Sequence, residues 1–133
     1  MPFKKFFHPS EKSEDGLTQS AREAIVDVLH YVMYADKHIS AREDQFIEEA
    51  ARKLNWDPKI SYEYYEGKST GAVSRALSTN AAGESFLESL KMRLPRKADR
   101  NLALSLAEEL SRTDGKNAEE TTSIAKLKSA FGS

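Results

Sequence analysis

The sequence predicts an all-α protein, a single helical bundle of about six to seven helices. Three observations lead there. Apolar residues recur at three- and four-residue spacing in several segments, helix-capping residues stand ahead of those segments, and nowhere does a stretch alternate with period two and β-branched enrichment. A chain of 133 residues is the length of one ordinary domain and long enough to bury a core without staples.

Residues 1–16 contain Pro2, Pro9 and Gly16 and show no helical period, so they read as a flexible tail ahead of a domain over 17–133. Phe3, Phe6 and Phe7 beside Lys4 and Lys5 would suit a membrane surface or a partner. An arm that folds back or stays loose is the plainer expectation. From Thr18, the residues Ile25, Val28, Leu29, Val32 and Met33 give a helix over about 18–35 with one buried face. Ser40 with Glu43 three positions on is a capping-box signature. Phe46, Ile47, Ala50, Ala51 and Leu54 then form the apolar face of a second helix, stopped by Asn55 and Pro58.

Residues 58–79 are less regular. Tyr62, Tyr64 and Tyr65 suit a short helix ended by Gly67, and Thr70 to Leu77 another. Asn80 is a plausible cap for a helix carrying Phe86, Leu87, Leu90 and Leu94, and Pro95 fits the first turn of the next. That helix carries Leu102, Leu106 and Leu110, with Ala103 and Leu104 alongside, and Gly115 breaks it. Asn117 with Glu120 repeats the cap, and Ile124, Leu127 and Phe131 line the last helix.

Composition narrows the function. Twenty Lys and Arg against 21 Asp and Glu leave a net charge of −1, so no general field draws the chain to nucleic acid or anionic lipid. The absence of cysteine excludes disulfides, thiol catalysis and cysteine zinc sites. The start lacks an apolar signal core and no stretch approaches the roughly 20 apolar residues of a membrane span, so the cytoplasm is the expected compartment. No nucleophile elbow and no Gly-rich phosphate loop is present, and no enzyme is expected.

The two ends of the domain resemble each other. A shift of 78 positions lays Ile25 on Ala103, Val28 on Leu106, Val32 on Leu110 and Asp36 on Asp114. Past the loop a shift of 77 lays Glu43 on Glu120, Ile47 on Ile124 and Leu54 on Phe131. Each unit is an apolar helix, a loop opening with Asp, a cap, and a second helix with an acid in its first turn.

The segment Tyr34-Ala35-Asp36-Lys37-His38-Ile39-Ser40-Ala41-Arg42-Glu43, followed by Phe46-Ile47, resembles the TerB-like (tellurite resistance) domain. The second copy, Leu110 to Lys116 with Glu119, Glu120 and Ile124, is similar. Lys37 stands where that family favours Gly, and the second loop is one residue shorter, with Asn117 where the first has Ile39. The resemblance spans about residues 17–131 and implies a roughly seven-helix domain with pseudo-twofold halves. It also implies a divalent-cation site at the acidic loops and a role in stress-linked complexes near the membrane.

Asp36, Glu43, Asp114, Glu119 and Glu120 are therefore the candidate metal ligands. Carboxylates crowded together repel each other, and a hard cation such as Ca²⁺ or Mg²⁺ relieves this. Their structural alternative is simple: Glu43 and Glu120 complement helix dipoles and the two Asp residues form turns. His38 is placed to join the loop site, whereas His30, beside an apolar face, is expected to be a hydrogen-bonded boundary histidine. Lys91, Arg93, Arg96, Lys97 and Arg100, with the aromatics Trp56, Tyr62, Tyr64 and Tyr65, form a candidate anionic-partner surface. Solvated charges beside a packed aromatic core are the expected outcome there. The resulting reading is a non-catalytic TerB-like module that binds a divalent cation weakly, a protein partner, or both. A metal-free adaptor and a nucleic-acid-binding domain using 91–100 are the alternatives.

Overall fold

The computed structural model describes residues 16–35, 40–113 and 118–132. The tail reading, both Asp-opened loops, Gly115 and the Asn117 cap lie outside the described residues. Within them there are six helices and no strand: α1 (Gln19–Tyr34), α2 (Ala41–Lys53), α3 (Tyr62–Ala76), α4 (Asn80–Arg93), α5 (Lys97–Ser111) and α6 (Ala118–Phe131). The all-α bundle expected from periodicity is the fold.

The first helix organises the rest. Thr18 caps it, its hydroxyl accepting from the Ala21 amide at 3.0 Å. Its residues Ala24 to Met33 are all buried, so α1 is buried all round where the spacing predicts one apolar face. Such a helix belongs at the centre of a bundle, and α1 packs against each of the other five. Around it the close neighbours run α3, α4, α6, α5, α2. The two ends of this series, α2 and α3, are not closely packed on each other, which leaves a seam over α1.

Local chemistry sets the helix ends. Ser40 accepts from the Arg42 and Glu43 amides at 3.1 and 3.2 Å, the serine half of the expected capping box. Asn55 ends the α2 region in the left-handed conformation at φ 65°, and buried Arg22 donates its Nε to the Leu54 carbonyl at 2.7 Å. That bond ties the end of α2 to α1.

Four expectations are corrected. Gly67 does not end a helix; α3 runs unbroken from Tyr62 to Ala76. Tyr65, Ser69, Val73 and Ala76 form its buried face, and the polar Ser69 hides that spacing from a search for apolar residues. Thr79, not Asn80, caps α4, accepting from the Ala82 amide at 3.0 Å. Pro95 precedes α5 instead of entering its first turn, because Arg96 is the N-cap residue. The core of α5 also rotates toward Ala103, Leu104, Ala107 and Leu110, with Leu102 and Leu106 only partly buried. Ile124, Leu127 and Phe131 are buried on α6 as expected.

Candidate metal centre at the α2–α3 seam

Two polar residues interrupt the apolar run of α1. Asp27 and His30 lie three positions apart, on one helical face, and are 3% and 0% exposed. They face α3, which supplies Tyr65 and Ser69 four positions apart. The Ser69 hydroxyl donates to Asp27 Oδ1 at 2.5 Å, and Tyr65 Oη lies 2.9 and 3.0 Å from the two Asp27 oxygens. Arg93, the last residue of α4, donates to Asp27 Oδ2 at 2.8 Å. The neutralised carboxylate thus has donors at both oxygens, as a buried charge requires. Burial works against the charge on Arg93, but the bond and charge of Asp27 outweigh it and strengthen its hold on the proton. Burial, reinforced by Asp27, pushes the Tyr65 hydroxyl above its ordinary range.

His30 extends this network toward the seam. Its Nδ1 lies 2.8 Å from Ser69 Oγ, while its buried Nε2 has no hydrogen-bond partner. Burial lowers the imidazole to about 4, against the pull of Asp27 and Asp44, so the ring is neutral at pH 7. Asp44 enters from the first turn of α2 and Glu66 from α3. One ring nitrogen of His30 and one carboxylate oxygen from each acid all lie within 4.8 Å of one another.

Both acids are half-buried. Desolvation raises Glu66 to about 7, helped by its hydrogen bond with Asp44 and by the charges of Asp44, Glu48 and Glu63. The buried, unpartnered Tyr62 hydroxyl is pushed up by burial and by the same four carboxylates, Glu66 first. A cleft of about 490 Å³, lined among others by Glu48, Trp56, Tyr62 and Glu63, lies about one turn along α2 and α3 from Asp44 and Glu66. The larger groove, about 760 Å³, lies between α4, α6 and the turn at 77–79. Of its ionisable residues, Tyr31 is buried and its hydroxyl is pushed up by burial alone, while Glu84, Glu88, Lys91 and Lys126 are exposed.

An imidazole with two carboxylates is a donor set for a divalent ion. Three donors about 2.1 Å from an ion in tetrahedral array stand roughly 3.4 Å apart, so small rotations of Asp44 and Glu66 would close the set.

The residues expected to bind metal are distributed differently. Asp36, His38 and Asp114 lie outside the described residues. Glu43 and Glu120 are buried, 2% and 1% exposed, in the first turns of α2 and α6, and Glu119 is exposed. His30 has the hydrogen bond expected of it, but it is a core residue and presents a second, bare nitrogen. Of the basic segment, Arg93 is tied to Asp27, Arg96 pairs with Asp99 at 2.6 Å, and Arg100 donates to the Leu94 and Pro95 carbonyls. Lys91 and Lys97 remain exposed. Trp56 packs edge-on to Tyr62 at 5.4 Å and near Tyr65 at 5.5 Å, leaving Tyr64 outward at 69% exposed.

Sequence reading missed Asp27, Asp44, Glu66 and Ser69. One signal was there: an Asp and a His at i, i+3 spacing inside an otherwise apolar helix. Asp44 and Glu66 had none, since acids at those positions are ordinary on exposed helix faces. Compared with protein-family models, with curated proteins and with solved structures, the chain has no match.

Proposed function

We propose that this chain is a non-catalytic helical module that binds a divalent cation, and that His30, Asp44 and Glu66 hold it. The observation that carries this reading is the buried His30 ring, which has an unpartnered Nε2 and one ring nitrogen within 4.8 Å of an oxygen from each of two carboxyl groups. A buried nitrogen lone pair without a donor costs about 1–3 kcal/mol, and crowded carboxylates repel. One cation removes both penalties. A purely structural cluster would leave the first of them standing.

The TerB-like assignment belongs to the same proposal. Support comes from the six-helix bundle and from buried acids in the corresponding first turns of α2 and α6, which suit two pseudo-twofold halves. A stress-linked role in a complex with a protein partner near the membrane is what the resemblance implies, and the cytoplasm is the compartment the composition suggests. Among the described residues no helix is long and apolar enough to cross a membrane. The loop acids Asp36, Glu43, Asp114, Glu119 and Glu120 remain the family-derived seats for Ca²⁺ or Mg²⁺. The seam cluster is the better supported place for an ion.

Thermal unfolding of chelator-treated protein against added Zn²⁺, Co²⁺, Mn²⁺, Ca²⁺ and Mg²⁺ tests the reading. A specific ion at a hundred times its Kd adds about 2.7 kcal/mol, which for a chain of this size raises Tm by on the order of 10 °C. The half-buried pair changed to Asp44→Asn and Glu66→Gln should fold and lose that rise. If no ion stabilises the wild type, or the double variant responds equally, the seam does not bind cations.

A further inference from the structure

The hydrogen bonds behind His30 have a direction, and that direction chooses which ring nitrogen is bare. Ser69 has one hydroxyl proton, which it donates to Asp27 Oδ1. Tyr65 and Arg93 also meet Asp27 with donors, so that carboxylate is occupied as an acceptor. Ser69 Oγ can then only accept from His30 Nδ1, at 2.8 Å. The neutral ring carries its proton on Nδ1 and a lone pair on Nε2. Nε2 is the buried nitrogen without a partner.

We infer that Asp27 and Ser69 are positioning residues that hold His30 as an Nε2 donor, so that the seam selects a borderline transition ion of the Zn²⁺ or Co²⁺ type over Ca²⁺ and Mg²⁺. This inference rests on the cation-binding reading above. Imidazole nitrogen suits zinc, copper, iron and nickel, whereas calcium and magnesium take oxygen. A metal-bound histidine almost always donates its other N–H to a carboxylate or another acceptor, which orients the ring and raises its basicity. Here that acceptor is a serine hydroxyl backed by a carboxylate, with Arg93 and Tyr65 fixing the carboxylate in turn. Two half-buried carboxylates from α2 and α3 complete three protein ligands. Three protein ligands with water in the fourth position is the arrangement of an open tetrahedral zinc site.

The test compares wild type, Ser69→Ala and Ser69→Thr. Imidazole ¹⁵N shifts of the metal-free proteins report the His30 tautomer, and titrations with Zn²⁺, Co²⁺, Ca²⁺ and Mg²⁺ report affinity. Wild type should carry the proton on Nδ1 and bind Zn²⁺ and Co²⁺ at least roughly a hundred-fold more tightly than Mg²⁺. Ser69→Ala should mix the tautomers and weaken Zn²⁺ by roughly 10–100-fold, and Ser69→Thr, which keeps the hydroxyl, should restore both. Equal affinity for Zn²⁺ and Mg²⁺, or Zn²⁺ binding unchanged in Ser69→Ala, would overturn the inference while leaving a cation site. Absence of binding by any of the four ions would sink the cation site itself. A tautomer protonated on Nε2 in the wild type would remove the relay directly.

Discussion

Replacing Arg93 by alanine would strand a carboxylate. Asp27 has a side chain 5% exposed, and Arg93, 26% exposed, is its charged partner. Removing one member of a buried pair costs about 3–5 kcal/mol, because the remaining charge must stay out of water unpaired. Arg93→Ala should therefore lower the urea-unfolding free energy by about that much, whereas replacing Lys97, exposed on the same basic stretch, should change it by less than about 0.5 kcal/mol. Equal small effects would mean that Tyr65 and Ser69 alone satisfy Asp27. The contrast separates two residues that look alike in sequence. Arg93 closes a network joining α1, α3 and α4; Lys97 has no such place.

At the scale of elements, α3 shows how a helix is decided by its buried face. Gly67 sits on its solvent side, where a Cβ would meet no atom within 4 Å. The helix survives the glycine because Tyr65, Ser69, Val73 and Ala76 anchor it to its neighbours. A glycine inside an exposed helical stretch is worse than alanine by roughly 0.5–1 kcal/mol. Gly67→Ala should stabilise the protein by that amount in denaturant unfolding. Had the chain turned at Gly67, as its local composition suggests, alanine there would destabilise it instead. Helix α3 also carries Tyr62, Glu66 and Ser69 on consecutive turns, so its continuity is what aligns the cation ligands with the serine that backs His30. Two short helices would have left those residues on unrelated axes.

For the whole molecule, the seam makes stability depend on pH. Glu66 has its folded value raised from 4.5 to about 7, so the folded state holds that proton more tightly than the unfolded chain does. A group of this kind contributes stability that is fully present below its ordinary value and is lost as pH rises toward the folded one. His30 works in the opposite direction: lowered from 6.5 to about 4, it contributes stability above 6.5 that is lost as pH falls. Comparing metal-free wild type with Glu66→Gln largely cancels the His30 contribution. The variant should gain stability relative to wild type between about pH 4.5 and 7 and then level off, read from urea midpoints across that range. A difference independent of pH would mean that Glu66 does not feel Asp44 and the desolvated seam.

Sequence alone determined the helical class, the Ser40 cap, and most of the core, because capping and the 3.6-residue period act over a few neighbours along the chain. Val28, Leu29, Ile47 and Leu127 could be placed in the interior from spacing alone, and they are there. Only the tertiary structure decided that α1 is central, that α3 is one helix, and that Asp27, His30, Asp44, Glu66 and Ser69 share a seam. Those residues come from three helices, up to 42 positions apart where hydrogen-bonded. Their meeting depends on how α2 and α3 flank α1, a matter of three-dimensional packing that local periodicity does not carry. Each one taken singly is an ordinary polar residue on a helix; burial and the neighbours brought by packing are what perturb its chemistry.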